Sequence, residues 1–188
     1  AFDKTAKILG VEFPGGPQIE ILAKKGDPKK YDLPLPIINR GGCNFSFAGL
    51  KTAILKLSNE ISSEQDRFDL AASFQLAVAD ILEDRCKNGL NITKDINSKC
   101  TNFIVAVGVA ANKVIRKRLK DLSKSYGFNI YYPPIEICTD NAAMIAWNGI
   151  EKISHYGIKN VDDYNFEPRT RWPLDPDAKA IRNAKEAR

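Results

Sequence analysis

Apolar residues recur at helical spacing twice in the middle of the chain, at Leu50, Ile54, Leu57 and Ile61 and again at Leu70, Phe74, Ala77 and Ile81. That period predicts two amphipathic helices, and Ala71, Val78 and Leu82 widen the second stripe, so the second helix is expected to be well buried. Upstream, Phe2 to Leu9 reads as the end of a helix closed by Gly10, and Phe13-Pro14-Gly15-Gly16-Pro17 as a tight turn feeding a helix through Gln18, Ile19, Glu20 and Leu22. From Asp27 to Phe47, Pro28, Pro34, Pro36 and the Gly41-Gly42 pair predict an irregular excursion or an edge strand.

After residue 100 the pattern changes. Phe103 to Val107 is an unbroken apolar run, read as a strand buried on both faces, and Gly108 ends it where the backbone bends tightly or approaches a ligand. A helix follows with Ile115, Leu119 and Leu122 on one face. A second strand is expected around Asn129 to Tyr132, then Pro133 and Pro134, then a helix with the stripe Ala143, Ala146, Ile150 and Ile153. Strand, helix, strand, helix argues for an α/β layer arrangement. Beyond Gly157 the pattern fades, and residues 162–188 read as a polar, proline-broken tail that needs a partner surface to order, apart from a short helix from Asp177.

Composition narrows the class. At 188 residues and 44% hydrophobic content the chain can bury a core, as one domain or two small ones. No apolar run reaches the length of a membrane span, and AFDKTAKILG lacks the features of a signal peptide, so a cytoplasmic protein with no membrane partner is expected. The start, without Met and in a helix-like segment, suggests a processed product or a piece of something longer. Cys43, Cys86, Cys100 and Cys138 form no C-x-x-C pair and fit reduced, mostly buried thiols. With 28 cationic and 23 anionic residues, the net charge of +5 permits nucleic-acid contact without demanding it.

Two polar residues sit at strand-to-helix turns. Asn112 lies in the first turn of its helix, where free N–H groups and the helix dipole favour an anion such as a phosphate; it also suits an ordinary cap. Asp140 opens the last helix and is either a cap or a ligand. Gly15 and Gly16 let backbone approach something closely. The lone His155 reads as a surface histidine at a helix C-terminus. Lys113, Lys117, Lys120 and Lys124 line one helix face, flanked by Arg116 and Arg118, as a solvated face or as an electrostatic footprint for RNA. No Ser-His-Asp set, Walker loop or H-E-x-x-H motif supports ordinary hydrolase or P-loop chemistry.

Six ordered segments carry a resemblance: Phe2-Asp3-Lys4-Thr5-Ala6-Lys7, Phe13-Pro14-Gly15-Gly16-Pro17, Phe45 to Ala53, Asp69 to Gln75, Gly108-Val109-Ala110-Ala111-Asn112 and Cys138 to Ala146. Together they resemble the C-terminal half of the TsaD family of tRNA threonylcarbamoyl transferases, once described as O-sialoglycoprotein endopeptidases. The resemblance implies the actin/Hsp70/sugar-kinase-like (ASKHA) superfold, two related α/β domains with nucleotide and metal in the cleft between them. Residues 1–139 would be mainly the second domain, and residues 140–188 a crossing helix and tail that pack on the N-terminal domain, most of which this chain lacks, so the stripe Ala143, Ala146, Ile150 and Ile153 with Trp147 is expected to be partly exposed or covered by another copy. The family's H-x-x-x-H metal pair is absent from a chain with one histidine.

The implied activity is transfer of a threonylcarbamoyl group from threonylcarbamoyl-adenylate to the exocyclic amine of adenosine 37 in tRNAs reading ANN codons, this chain being a partial enzyme. By similarity Asp3, Gly16, Glu20 and Asn112 bind the adenylate or ATP, and Asp140 is a ligand to one divalent metal, iron or zinc, or magnesium with the nucleotide. Implied partners are tRNA, a TsaB-like paralogue, a TsaE-like P-loop ATPase and the N-terminal half of the family's own fold. Val107 departs from the family pattern, standing where the first glycine of a G-G-V-A-A-N turn is usual, and Ala48 replaces a common serine. A non-catalytic assembly subunit and a metal-dependent O-sialoglycoprotein endopeptidase are the alternatives; retention of Asp140 and Asn112 argues against the first, and the lack of a general base against the second.

Overall fold

Seven residues from Phe2 to Ile8 form helix α1, and Gly10, at φ +66°, turns the chain out of it as its sequence position predicts. The fold is described from a computed structural model covering residues 1–160 and residue 167. The expected tail from 162 and its short helix from Asp177 lie outside the described residues, except for Glu167. The chain divides into two units, Ala1–Asn141 and Ala142–Arg188.

In the first unit, α2 (Gly15–Ala23), α3 (Leu50–Ser58) and α4 (Glu64–Ile96) follow α1. The 33-residue α4 is the spine, about 50 Å long at 1.5 Å per residue. Its predicted stripe is its core: Leu70, Phe74 and Ile81 are fully buried, against Ile19 of α2 and Ile54 of α3. Phe2 meets Phe74 edge to face at 5.1 Å. α4 starts on a capping box. The Ser63 hydroxyl accepts the Asp66 N–H at 3.1 Å while the Asp66 carboxylate accepts the Ser63 N–H at 3.0 Å.

Residues 27–47 are an irregular excursion with no strand. Polar side chains of α4 strap it down, which is how a loop lies on a helix without orphaned backbone groups. Asp69 accepts the Asp27 N–H at 2.7 Å, Ser73 accepts the Tyr31 N–H at 3.2 Å, and Asn88 donates to the Arg40 and Gly42 carbonyls at 2.9 Å. Arg85, 1% exposed, pairs with Asp84 and donates to the same two carbonyls.

Strand β1 (Asn102–Ile104), helix α5 (Lys113–Ser125) and strand β2 (Asn129–Tyr131) complete the expected alternation, and β1 and β2 pair in parallel. The expectation of a strand buried on both faces is corrected. β1 has three residues, and among the described residues only one face of the two-stranded sheet is covered. Phe103 and Ile130, opposite each other, turn to the core, whereas their neighbours Ile104 and Tyr131 are 71% and 53% exposed. A period of two is hidden when both faces carry apolar residues.

The four cysteines are free, but Cys43 is exposed and only Cys138 is fully buried, fewer than expected. Burial, then the nearby Cys43, pushes the Cys86 thiol up to about 11. In the second unit α6 (Ala142–Tyr156) carries the predicted stripe, with Trp147, Ile150 and Ile153 exposed, and His155 lies 3.6 Å from Glu151 on the surface. No helix among the described residues is long and apolar enough to cross a membrane.

The capping box makes a pH signature. Hydrogen bonds from Ser63 and Ser62 hold the Asp66 carboxyl below its ordinary 3.8. A lowered folded-state value contributes stability above the unfolded one and loses it as pH falls through the folded one. Urea unfolding is therefore expected to show a stability gap between the protein and Asp66→Asn at neutral pH that closes as pH drops below 3.8; a gap independent of pH would contradict it.

Candidate functional site

The site is built around the start of α5. Behind β1 the chain makes a 3-10 turn, Gly108–Ala111, and Asn112 then caps α5. Its Oδ1 accepts the Ile115 N–H at 3.0 Å and its Nδ2 donates to Gln75 Oε1 of α4 at 2.8 Å. Both side chains are buried, so a hydrogen bond between neutral amides fixes the helix start on the spine. Asn112 thus acts as the cap its position predicts.

Glu20 reaches the same end from α2, its Oε1 accepting the Lys113 N–H at 3.4 Å. That is long for a hydrogen bond and easily exchanged. Gly16 lies one turn before Glu20 on α2, and a Cβ there would meet nothing within 4 Å. The structure therefore brings Glu20 and Asn112 together at one helix terminus, with Gly16 on the α2 face that carries Glu20.

Asp3 works one step away. Pro14 precedes α2 and cannot cap it with a side chain, so Asp3 of α1 does so across the turn, its Oδ1 accepting the Gly15 N–H at 2.9 Å. The close approach expected of the two glycines belongs to Gly15: a Cβ there would lie 2.6 Å from Ala6 Cβ and 2.7 Å from Asp3 Cα. Asp3 and Gly15 also line a groove of about 460 Å³ with Lys4, Val11 and Phe13.

Asp140 is exposed, two residues before α6, and its carboxylate accepts no hydrogen bond from the described residues. The segment leading to it is held by Arg116, whose guanidinium bonds the Ala110 carbonyl, the Pro133 carbonyl at 2.7 Å and Cys138 Sγ at 3.3 Å. Arg116 also lies 4.7 Å from the Tyr132 ring, and the Tyr132 hydroxyl donates to the Arg116 carbonyl at 2.8 Å. Burial raises the Tyr132 phenol, with Arg116 opposing, so it remains a donor. Neither Arg116 nor Gln75 was singled out in the sequence as a site residue. Arg116 lies between Lys113 and Lys117 on a basic helix, and Gln75 is a polar residue inside an apolar stretch, at the end of one of the family segments; neither pattern names a partner.

No group of three His, Cys, Asp or Glu among the described residues gathers closely enough to hold a metal ion. The Asp140 carboxylate is open to a cation but is one donor, and a stable site needs several. This chain's described residues do not by themselves make a metal centre.

The turn before Asn112 carries strain one residue earlier than expected. Val107, not Gly108, adopts positive φ, at φ 69° and ψ −174°, a region that only glycine enters freely. Val107 is 72% exposed, so its side chain gains little in return. Val107→Gly is expected to stabilise the chain by about 1 kcal/mol, strain relief of roughly 1–3 kcal/mol less the entropy cost of glycine. Thermal unfolding would show a rise of roughly 2–4 °C; a fall would contradict this reading of the turn.

The sequence profile of TsaD, tRNA N6-adenosine threonylcarbamoyltransferase, matches residues 1–147. A tRNA N6-adenosine threonylcarbamoyltransferase of Pelagibacter ubique is 54% identical over 185 residues, covering 98% of this chain and 51% of that protein. Proteins of the same name from Wolbachia pipientis wMel and Rhodospirillum rubrum are 48% and 47% identical, over 93% and 95% of this chain and 51% and 49% of their own lengths. The chain spans about half the length of the relatives it matches.

Proposed function

The chain belongs to the TsaD family, and from that premise we propose that it supplies the C-terminal half of an enzyme that transfers a threonylcarbamoyl group from threonylcarbamoyl-adenylate to the exocyclic amine of adenosine 37 in ANN-reading tRNAs. The observation that carries the reading is the convergence of Glu20 and Asn112 on the start of α5. The N-terminus of a 13-residue helix favours a phosphate. Glu20, held there by one long hydrogen bond, is a carboxylate that can turn to ribose hydroxyls. Gly16 leaves open space on the same α2 face.

Asn112 acts on the adenylate through position. Both ends of its amide are engaged, so it serves by holding the α5 amides in place. Asp3 likewise holds the start of α2 with one oxygen and keeps the other for ligand. Asp140 contributes one carboxylate to a divalent metal, iron, zinc or nucleotide-bound magnesium, whose other ligands come from the rest of the protein. Such an ion would polarise carbamoyl-phosphate oxygens as a Lewis acid. The complete protein takes the ASKHA superfold, which the parallel β1–α5–β2 unit supports. It works in the cytoplasm, with tRNA, a TsaB-like paralogue and a TsaE-like P-loop ATPase as partners. This chain alone does not complete the reaction.

The test joins the missing half to this chain and measures threonylcarbamoyladenosine in tRNA by nucleoside mass spectrometry, with donor-forming and partner proteins supplied. The parent is expected to make product, and Asp140→Ala and Asn112→Ala to lower its rate by more than about tenfold. No product from a folded parent would contradict the transferase and favour an assembly subunit.

A further inference from the structure

The exposed side of α5 carries a charged row that the adenylate site does not account for. Lys113, Lys117, Lys120 and Lys124 are all exposed and recur at four, three and four residues, so they stand in one row about 16 Å long. The opposite side is locked down by Ile115, Leu119 and Leu122, all buried. The row is rigidly presented.

Its charge is also uncompensated. The neighbouring cation Arg118 is clamped to α4 by Asp80 and Glu83, each at 2.5 Å. None of the four lysines lies within ion-pair distance of a carboxylate among the described residues. Asp121 is the one carboxylate of α5 and lies at the edge of the row. The row has a direction too. Lys113 is the first residue of α5, and its own N–H is the one Glu20 accepts, so the row starts at the candidate adenylate site and runs away from it.

We propose that this lysine row is the surface along which the RNA substrate lays its phosphodiester backbone, guiding the acceptor base toward the start of α5. The inference rests on the transferase reading. A row of lysines, with no aromatic or apolar side chain among them, suits a repeating anion read by charge.

The probe is an unmodified tRNA transcript binding the 188-residue chain, followed by fluorescence anisotropy across a series of salt concentrations. Two quadruple variants of equal net charge are compared: Lys113, Lys117, Lys120 and Lys124 to Gln, and the exposed Lys24, Lys30, Lys51 and Lys56 to Gln. The α5 variant is expected to lower the slope of log affinity against log salt by about 3, and the single variants Lys117→Gln and Lys120→Gln by about 1 each. The comparator should leave the slope unchanged. Circular dichroism checks that each variant is folded, and the single variants decide the matter if the quadruple one is not.

Equal losses in both quadruple variants, or unchanged slopes in the α5 variants, would overturn the proposal. So would displacement of tRNA by poly-glutamate at the same charge concentration, which would mark a face for acidic protein. With the missing half restored, Lys117→Gln and Lys120→Gln, which lie outside the adenylate site, should raise KM for tRNA and spare kcat. A parent that makes no threonylcarbamoyladenosine but shows the α5-specific slope would sink the transferase reading and sustain RNA binding. A parent that makes product while Lys117→Gln and Lys120→Gln keep its KM would do the reverse.

Discussion

One buried amide pair governs how this chain presents its chemistry. Asn112 caps α5 with its oxygen and grips Gln75 of α4 with its nitrogen, so the start of α5 cannot shift without leaving a buried polar group unpaired. Such a loss costs roughly 1–3 kcal/mol, more than the pair gains by forming, which makes it a constraint on position more than a source of stability. The α5 side of the site depends on it. The Lys113 N–H that meets Glu20, the lysine row behind it and the turn that begins at Val107 are all placed by that capped terminus.

The second dependence is on α4. It receives α2 and α3 on its apolar stripe, and its polar residues carry the irregular excursion from 27 to 47. Arg85 is the extreme case, a nearly inaccessible guanidinium paired with Asp84 and closed by two loop carbonyls. A buried charge is tolerated because its hydrogen bonds are made; removing one partner would strand the other. The same helix therefore fixes both the loop and, through Gln75, the start of α5.

The sequence was legible where one period dominates. Leu70, Phe74, Ala77 and Ile81 announced the spine, and Ile115, Leu119 and Leu122 the seated face of α5, because a helix with one buried side must repeat that way. Phe103 to Val107 misled because an apolar run records hydrophobicity and not which side is covered; with only two strands among the described residues, Ile104 is left outside. Gly108 drew attention as the bend, yet its neighbour Val107 takes the positive φ with extended ψ; the apolar run does not reveal this, whereas the family pattern, with glycine usual where Val107 stands, pointed to it. At the site, Asn112 was readable as a cap from its place at a helix start. Its bond to Gln75, 37 residues away, and the triple grip of Arg116 were not, since each depends on partners brought together only by the fold.

The claim that the α2 and α5 termini form an adenylate site is most directly tested by titrating ATP into the isotopically labelled chain and following its amide resonances by NMR. The account predicts saturable shifts concentrated at Gly16, Glu20, Lys113 and Val114, and their loss in Glu20→Ala. Shifts confined to other parts of the chain, or none at millimolar ATP, would contradict it.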